Sequence, residues 1–253
     1  MVRLHPEPQE YRPKTMKPKL RWKRILLKLT GETLGGKGNF GLNVSAAQYI
    51  AREIKKAHKL GCQIALVVGG GNFIRGEKLS ALGIDRTTAD YMGMLGTSIN
   101  GLALQSTLEK EGLETRLMSP LKMIEVAEPF IRRRALHHLE RGRIVIFAGG
   151  TGNPYFSTDT AAVLRASEIG AEVVFKASNV EGVYESDPRI NKKAKLIKTI
   201  TAHKAVQKKL RVMDLTAITL AMENNMPITI FNVFKEGNLE RVIQGEKIGS
   251  EII

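Results

Sequence analysis

Short apolar strands alternating with amphipathic helices predict an α/β chain, a single three-layer αβα sandwich around a largely parallel sheet. Three observations carry this. Strand-like runs such as Gln63–Val68 (QIALVV) are continuously apolar, as strands covered on both faces are. Stretches with helical spacing separate them. Three of the runs end in small residues: Thr30-Gly31, Gly69-Gly70-Gly71-Asn72 and Gly149-Gly150-Thr151-Gly152-Asn153. Those are carboxyl ends, where open α/β sheets bind ligands.

Taken in order, Arg24–Leu29 reads as a first strand. A helix follows, capped by Ser45, carrying Ala47, Ile50, Ala51, Ile54 and Ala57 on one face and stopped by Gly61. After the strand Gln63–Val68 comes a long helix over Asp85–Lys110, then a short strand over Leu113–Met118. A helix is expected from Pro129 to Gly142; its adjacent His137 and His138 point to different sides and read as surface residues. Strand Arg143–Ala148, helix Thr158–Gly170 and strand Glu172–Ala177 form a further βαβ unit. Residues 195–201 read as a strand, Asp214–Asn225 as a helix, 228–233 as a strand, and a last helix starts at Asn238. Residues 1–23, with Pro6, Pro8, Pro13 and Pro18 among basic residues, read as a mobile extension before one domain over residues 24–253.

Composition bounds the function. The 253 residues carry a formal net charge of +14, but no aromatic residues alternate with the basic ones as on a single-strand stacking surface, and no nucleic-acid-binding signature appears. The charge reads as a solvated basic surface or a field that draws small anions. No stable nucleic-acid partner is expected. No apolar run approaches the ~18 residues of a membrane span. The N-terminus lacks a signal-peptide core, and Cys62 is the single cysteine; both fit a cytoplasmic protein.

Three glycine-bearing loops on one sheet edge point to phosphate, because glycines expose backbone N–H groups and a following helix N-terminus adds positive potential. Arg75, just past the second loop, offers a guanidinium for phosphate oxygens. The Walker A pattern is absent. The G-x-G-x-x-G at Gly36–Gly41 neither follows a strand directly nor opens a helix, and reads as a hairpin turn. Lys28 lies on an apolar strand two residues before a phosphate-type loop; it is either a snorkelling lysine or a functional one. Asp159 follows Ser157 and Thr158, either of which can cap a helix, and it suits a helix start whether or not it has another role.

The segments RILLKLTGE, VVGGGNFIRG, ADYMGMLGTSINGLAL, GGTGNPYFSTDTAA, KASNVEGVYESDP and RVMDLTA closely resemble the bacterial uridylate (UMP) kinases of the amino-acid-kinase superfamily. The likeness runs from about Arg24 to the C-terminus. It implies phosphoryl transfer from Mg-ATP to UMP in pyrimidine nucleotide synthesis, by a homohexamer. It places Lys28, Leu29, Thr30 and Gly31 on the transferring phosphates, with Gly71 and Arg75 beside them. Gly70 and Asp90 would hold UMP, and Thr151, Gly152, Asn153, Pro154, Tyr155, Phe156, Ser157 and Thr158 would wrap it. Ser178, Asn179, Tyr184 and Asp187 match the positions that receive the adenine nucleotide. Lys28, Arg75 and Asp159 are the expected catalytic set, Asp159 as organiser of Lys28, and no carboxylate is assigned to Mg²⁺. Gln105 and Glu109 stand where some members carry basic residues for a GTP effector.

Overall fold

A computed structural model of the chain describes residues 20–36, 40–74, 82–186, 190–208, 210 and 213–253. Its strands are β1 (Arg24–Leu29), β2 (Gln63–Val68), β3 (Thr115–Ser119), β4 (Glu128–Pro129), β5 (Ile144–Phe147), β6 (Val173–Ser178), β7 (Val183–Tyr184), β8 (Leu196–Ile197), β9 (Thr199–Ile200), β10 (Ile228–Asn232) and β11 (Ser250–Ile252). Nine of them form one sheet in the order β4-β3-β5-β2-β1-β6-β10-β11-β9, and β7 pairs with β8 apart from it. Every pairing in the large sheet is parallel except β10 with β11. The chain steps from β1 outward to β2 on one side, and β6 joins β1 on the other. The strand order reverses at β1, so the crevice beyond its carboxyl end is a topological switch point.

The helices are α1 (Gly31–Gly35), α2 (Val44–Lys59), α3 (Arg86–Lys110), α4 (Arg132–Glu140), α5 (Thr158–Ile169), α6 (Ala202–Gln207), α7 (Leu215–Glu223) and α8 (Asn238–Ile243). Apolar residues of α2, α3 and α8 cover one face of the sheet, and those of α4 to α7 cover the other. Strand periodicity divides β1 between the two. Ile25, Leu27 and Leu29 join the first core, while Leu26 joins the second. Lys28 therefore emerges on the α5 side. The same alternation in β6 sends Phe175 and Ala177 to the first core and Val174 to the second, so Lys176 shares the face of Lys28.

Several expectations are corrected. Helix α2 is capped by Asn43, whose side chain accepts from Ala46 N; Ser45 already lies inside the helix. The turn expected at Gly36–Gly41 falls in part on residues 37–39, outside the described residues; of its flanks, Gly36 follows α1, and Gly41 N donates to Asn72 O at 2.8 Å while Asn72 Nδ2 donates to Gly41 O at 2.6 Å. Helix α4 starts at Arg132 because Glu128–Pro129 is taken up by pairing with β3. His138 is buried, with Nε2 3.2 Å from Glu128 and Nδ1 3.2 Å from Arg143, while His137 stays exposed. The strand expected over 195–201 is two short ones in different sheets. Leu20 and Trp22, assigned to the extension, pack on the first core; residues 1–19 lie outside the described residues. Burial pushes the Cys62 thiol up to about 12, with Glu172 adding to it, so the thiol is inert at neutral pH.

Candidate active site

The four central strands β5, β2, β1 and β6 release their loops side by side. Thr30 caps α1, accepting from Thr33 N, and this turns the chain sharply after β1. The loop after β2 is tied down at both ends. Gly69 N donates to Leu29 O at 2.8 Å, and the buried amides of Asn72 and Asn100 bond each other at 2.6 and 3.0 Å. Asn100, on α3, also donates to Gly69 O at 2.6 Å. Thr97 of the same helix accepts from Gly149 N at 2.7 Å, fastening the third loop to α3 as well.

This packing explains most of the glycines. A Cβ on Gly31 would lie 2.5 Å from Asn72 Oδ1 and 2.7 Å from Gly71 N, and one on Gly70 would lie 2.6 Å from Gly93 O. Gly149 and Gly152 have φ of 75° and 85° and abut Ser119 and Pro120. The loops are small first because they touch one another. Gly71 is different: no described atom lies within 4 Å of where its Cβ would be.

Beneath the loops sits a charged trio. Lys28 Nζ is 2.7 Å from one carboxylate oxygen of Asp159, and Lys176 Nζ is 2.7 Å from the other. Lys28 and Lys176 are register partners in the parallel pairing of β1 with β6. Burial alone would raise the Asp159 pKa, but Lys28 and Lys176 outweigh it and hold the carboxyl down at about 2. Burial lowers the Lys176 pKa, a tendency that Asp159 opposes and Lys28 reinforces. Two lysines thus share one carboxylate at the switch point. Lys176 was not singled out in the sequence.

Asp90, on α3, pairs with Arg86 at 2.8 Å and accepts from Tyr155 N at 2.7 Å. It therefore holds the third loop at Tyr155, whose φ is 72°. Tyr155 and Phe156 are 67% and 50% exposed, and the Arg86 guanidinium lies over the Tyr155 ring, 5.4 Å from its centroid. Thr151 bridges its own loop, accepting from Asn153 N and donating to Asn153 O at 3.1 Å. The Ser157 hydroxyl accepts from Asp159 N and Thr160 N and donates to Asp214. Its hydrogen-bonding capacity is then used up, so in this arrangement Ser157 anchors the loop.

On the far side of β1, Ser178 ends β6 and accepts from Val180 N, next to exposed Asn179. Tyr184 stands half-buried in β7. Arg75 and Asp187 lie outside the described residues. Among the described residues no group of three or more His, Cys, Asp or Glu side chains is placed to hold a metal ion, and no helix is long and apolar enough to cross a membrane.

The amino acid kinase family matches residues 23–232. The chloroplastic uridylate kinase PUMPKIN of Arabidopsis thaliana is 50% identical over 239 residues, which are 94% of this chain and 70% of that protein. Among solved structures, UMP kinase from Bacillus anthracis superposes with a TM-score of 0.89 at 40% identity, covering 91% of this chain and 96% of that one. UMP kinase from Ureaplasma parvum gives a TM-score of 0.86 at 34% identity, over 92% and 99% of the two chains. With the switch-point loops and the buried trio in place, the chain belongs to the amino acid kinase family and, within it, stands with the uridylate kinases.

Proposed function

We propose that the protein transfers the terminal phosphoryl group of ATP to UMP, giving UDP and ADP for pyrimidine nucleotide synthesis. The observation that carries this reading is the sharing of Asp159 by Lys28 and Lys176 beneath three glycine loops. Charge spread over the transferring group's oxygens needs preorganised cations, and here two are held before any substrate arrives. Asp159 stays ionised far below neutrality, which makes it a poor proton acceptor and a good anchor for the lysines. None is needed as a base, because the attacking UMP phosphate is already anionic.

In this reading Leu29, Thr30, Gly31, Gly71 and Arg75 contact the ATP phosphates, while Ser178, Asn179, Tyr184 and Asp187 receive the adenosine. UMP lies over Gly70 and Asp90, under the loop from Thr151 to Thr158. Mg²⁺, where it accompanies ATP, would lower the negative charge that Lys28 and Lys176 must meet. The net charge of +14 serves as a field for anionic nucleotides and implies no nucleic-acid partner.

A homohexamer is part of the proposal. Tyr91, Leu95, Ile99 and Leu102 form an exposed apolar stripe along α3, 39–53% accessible, which favours self-association through that helix. One buried cysteine suits a reducing compartment such as the cytoplasm. The deciding experiment offers a panel of nucleoside monophosphates, together with carboxylate acceptors such as aspartate and glutamate, with Mg-ATP and follows ADP release. UMP should be phosphorylated far faster than the rest. Preference for a carboxylate acceptor would overturn the reading.

A further inference from the structure

The RVMDLTA segment enters the site described above only through the Ser157 hydroxyl, yet its aspartate has an unusual set of partners. Asp214 caps α7, with Oδ1 accepting from Ala217 N at 2.8 Å. A cap needs no more than that. The same carboxylate also accepts from two hydroxyls of a different helix: Thr160 Oγ1 donates to Oδ1 at 3.0 Å, and Ser157 Oγ donates to Oδ2. Ser157 is itself the cap of α5, accepting from Asp159 N at 3.0 Å and Thr160 N at 3.2 Å. One carboxylate therefore fastens the start of α7 to the start of α5. Asp159 is the second residue of α5.

We infer that Asp214 is a positioning residue whose carboxylate ties the N-termini of α5 and α7 together and so holds Asp159 between Lys28 and Lys176. The inference rests on the phosphoryl-transfer reading for its effect on rate, but the brace itself exists without substrate. The charge of Asp214 also reaches the centre directly. Lys176 faces Lys28 from β1, Asp159 from α5 and Asp214 from the start of α7; of these, Asp159 and Asp214 favour its charged form.

Asp214→Asn separates brace from cap. Asparagine caps a helix as well as aspartate does, so the bond from Ala217 N can persist through Oδ1. Its amide nitrogen cannot accept the Ser157 proton, and both Ser157 lone pairs are already engaged. On the ligand-free full-length protein, hydrogen exchange at Asp159 N and Thr160 N should accelerate about tenfold, with Ala217 N unchanged. In turnover with UMP and Mg-ATP, kcat should fall about tenfold or more while both KM values stay within about threefold, the pattern of an interaction lost in the transition state. The alkaline limb of the kcat profile should move to lower pH, since Lys176 loses a neighbouring negative charge. Thr160→Val, which keeps shape and removes one bond, should move exchange and kcat in the same direction by about threefold, and it serves if Asp214→Asn does not fold. Unchanged exchange at Asp159 and Thr160, or wild-type kcat in a folded variant, overturns the brace. Failure of the wild-type protein to phosphorylate UMP overturns the functional reading instead, and the exchange result still decides the brace.

Discussion

Lys28 and Lys176 stand opposite each other as register partners on β1 and β6, and the carboxylate of Asp159 meets each at 2.7 Å. Two like charges on adjacent strands would repel without it. The three side chains form one electrostatic unit, and their loss should be strongly non-additive.

Lys28→Ala and Lys176→Met should therefore each reduce kcat about 10²–10³-fold with the fold retained, as for loss of one preorganised contact to transition-state charge. The double variant should fall little below the worse single one. Circular dichroism and steady-state turnover check this. Losses that multiply would show two independent contacts, and near-normal turnover by either single variant would remove that lysine from the mechanism.

Asp159 links the same unit to acid stability. Its folded-state pKa, about 2, lies below the ordinary carboxylate value of 3.8. A depressed carboxylate contributes stability that is present above the unfolded value and is lost as pH falls through the folded one. The contribution is about 2 kcal/mol. Denaturant unfolding of wild type and Asp159→Asn should differ most at neutral pH, where the variant leaves two buried lysines without their partner. The difference should shrink between about pH 4 and pH 2. A difference independent of pH in that window would mean that charge pairing is not what Asp159 supplies.

How legible this was depends on the range of the contacts. The bounds of β1 and β2 follow from continuous apolar runs cut off by charge and glycine, and both match the structure residue for residue. Lys28 and Asp159 carry local signals, a charge on an apolar strand and an acid at a helix start. Lys176 carries the same signal as Lys28, a lysine after three apolar residues in VVFKA as in ILLKL, but its meaning depends on β6 pairing with β1. That pairing joins strands far apart in sequence. The Asn72–Asn100 pair and the Asp214 brace are hidden for the same reason. The bonds that tie Gly41 to Asn72 are hidden likewise, since they join residues 31 positions apart.

Asp90 gives a third prediction. Its place in α3 has two tenants, since it pairs with Arg86 and also receives Tyr155 N from the third loop. Asp90→Ala should remove a carboxylate acceptor for sugar hydroxyls and release the loop at Tyr155 as well. UMP affinity should weaken about 10–100-fold, corresponding to charge-assisted bonds of about 1.5–3 kcal/mol. ATP affinity should stay near wild type if ATP binds as proposed, with its adenosine at Ser178 and Tyr184 across β1 from Asp90. Calorimetric titration of both nucleotides checks this, and unchanged UMP binding would place the acceptor elsewhere.

The loop glycines make the sharpest contrast. Gly31→Ala drives a Cβ to 2.7 Å from the backbone of both Gly71 and Asn72, atoms that cannot move without parting two loops. Overpacking of this kind costs about 1–3 kcal/mol, so the variant should unfold at a clearly lower temperature. Gly71→Ala meets no described atom within 4 Å, and Gly71 has no positive φ that would strain alanine. Nothing in the described protein requires glycine there, so the melting temperature should hold or rise slightly through reduced freedom of the unfolded chain. In the proposed function, what requires it is a phosphate approaching the backbone N–H. Gly71→Ala should thus keep its stability and lose at least tenfold in kcat/KM for ATP, by about 1.4 kcal/mol of transition-state binding. Full activity in a stable Gly71→Ala protein would show that the nucleotide phosphates do not reach this loop.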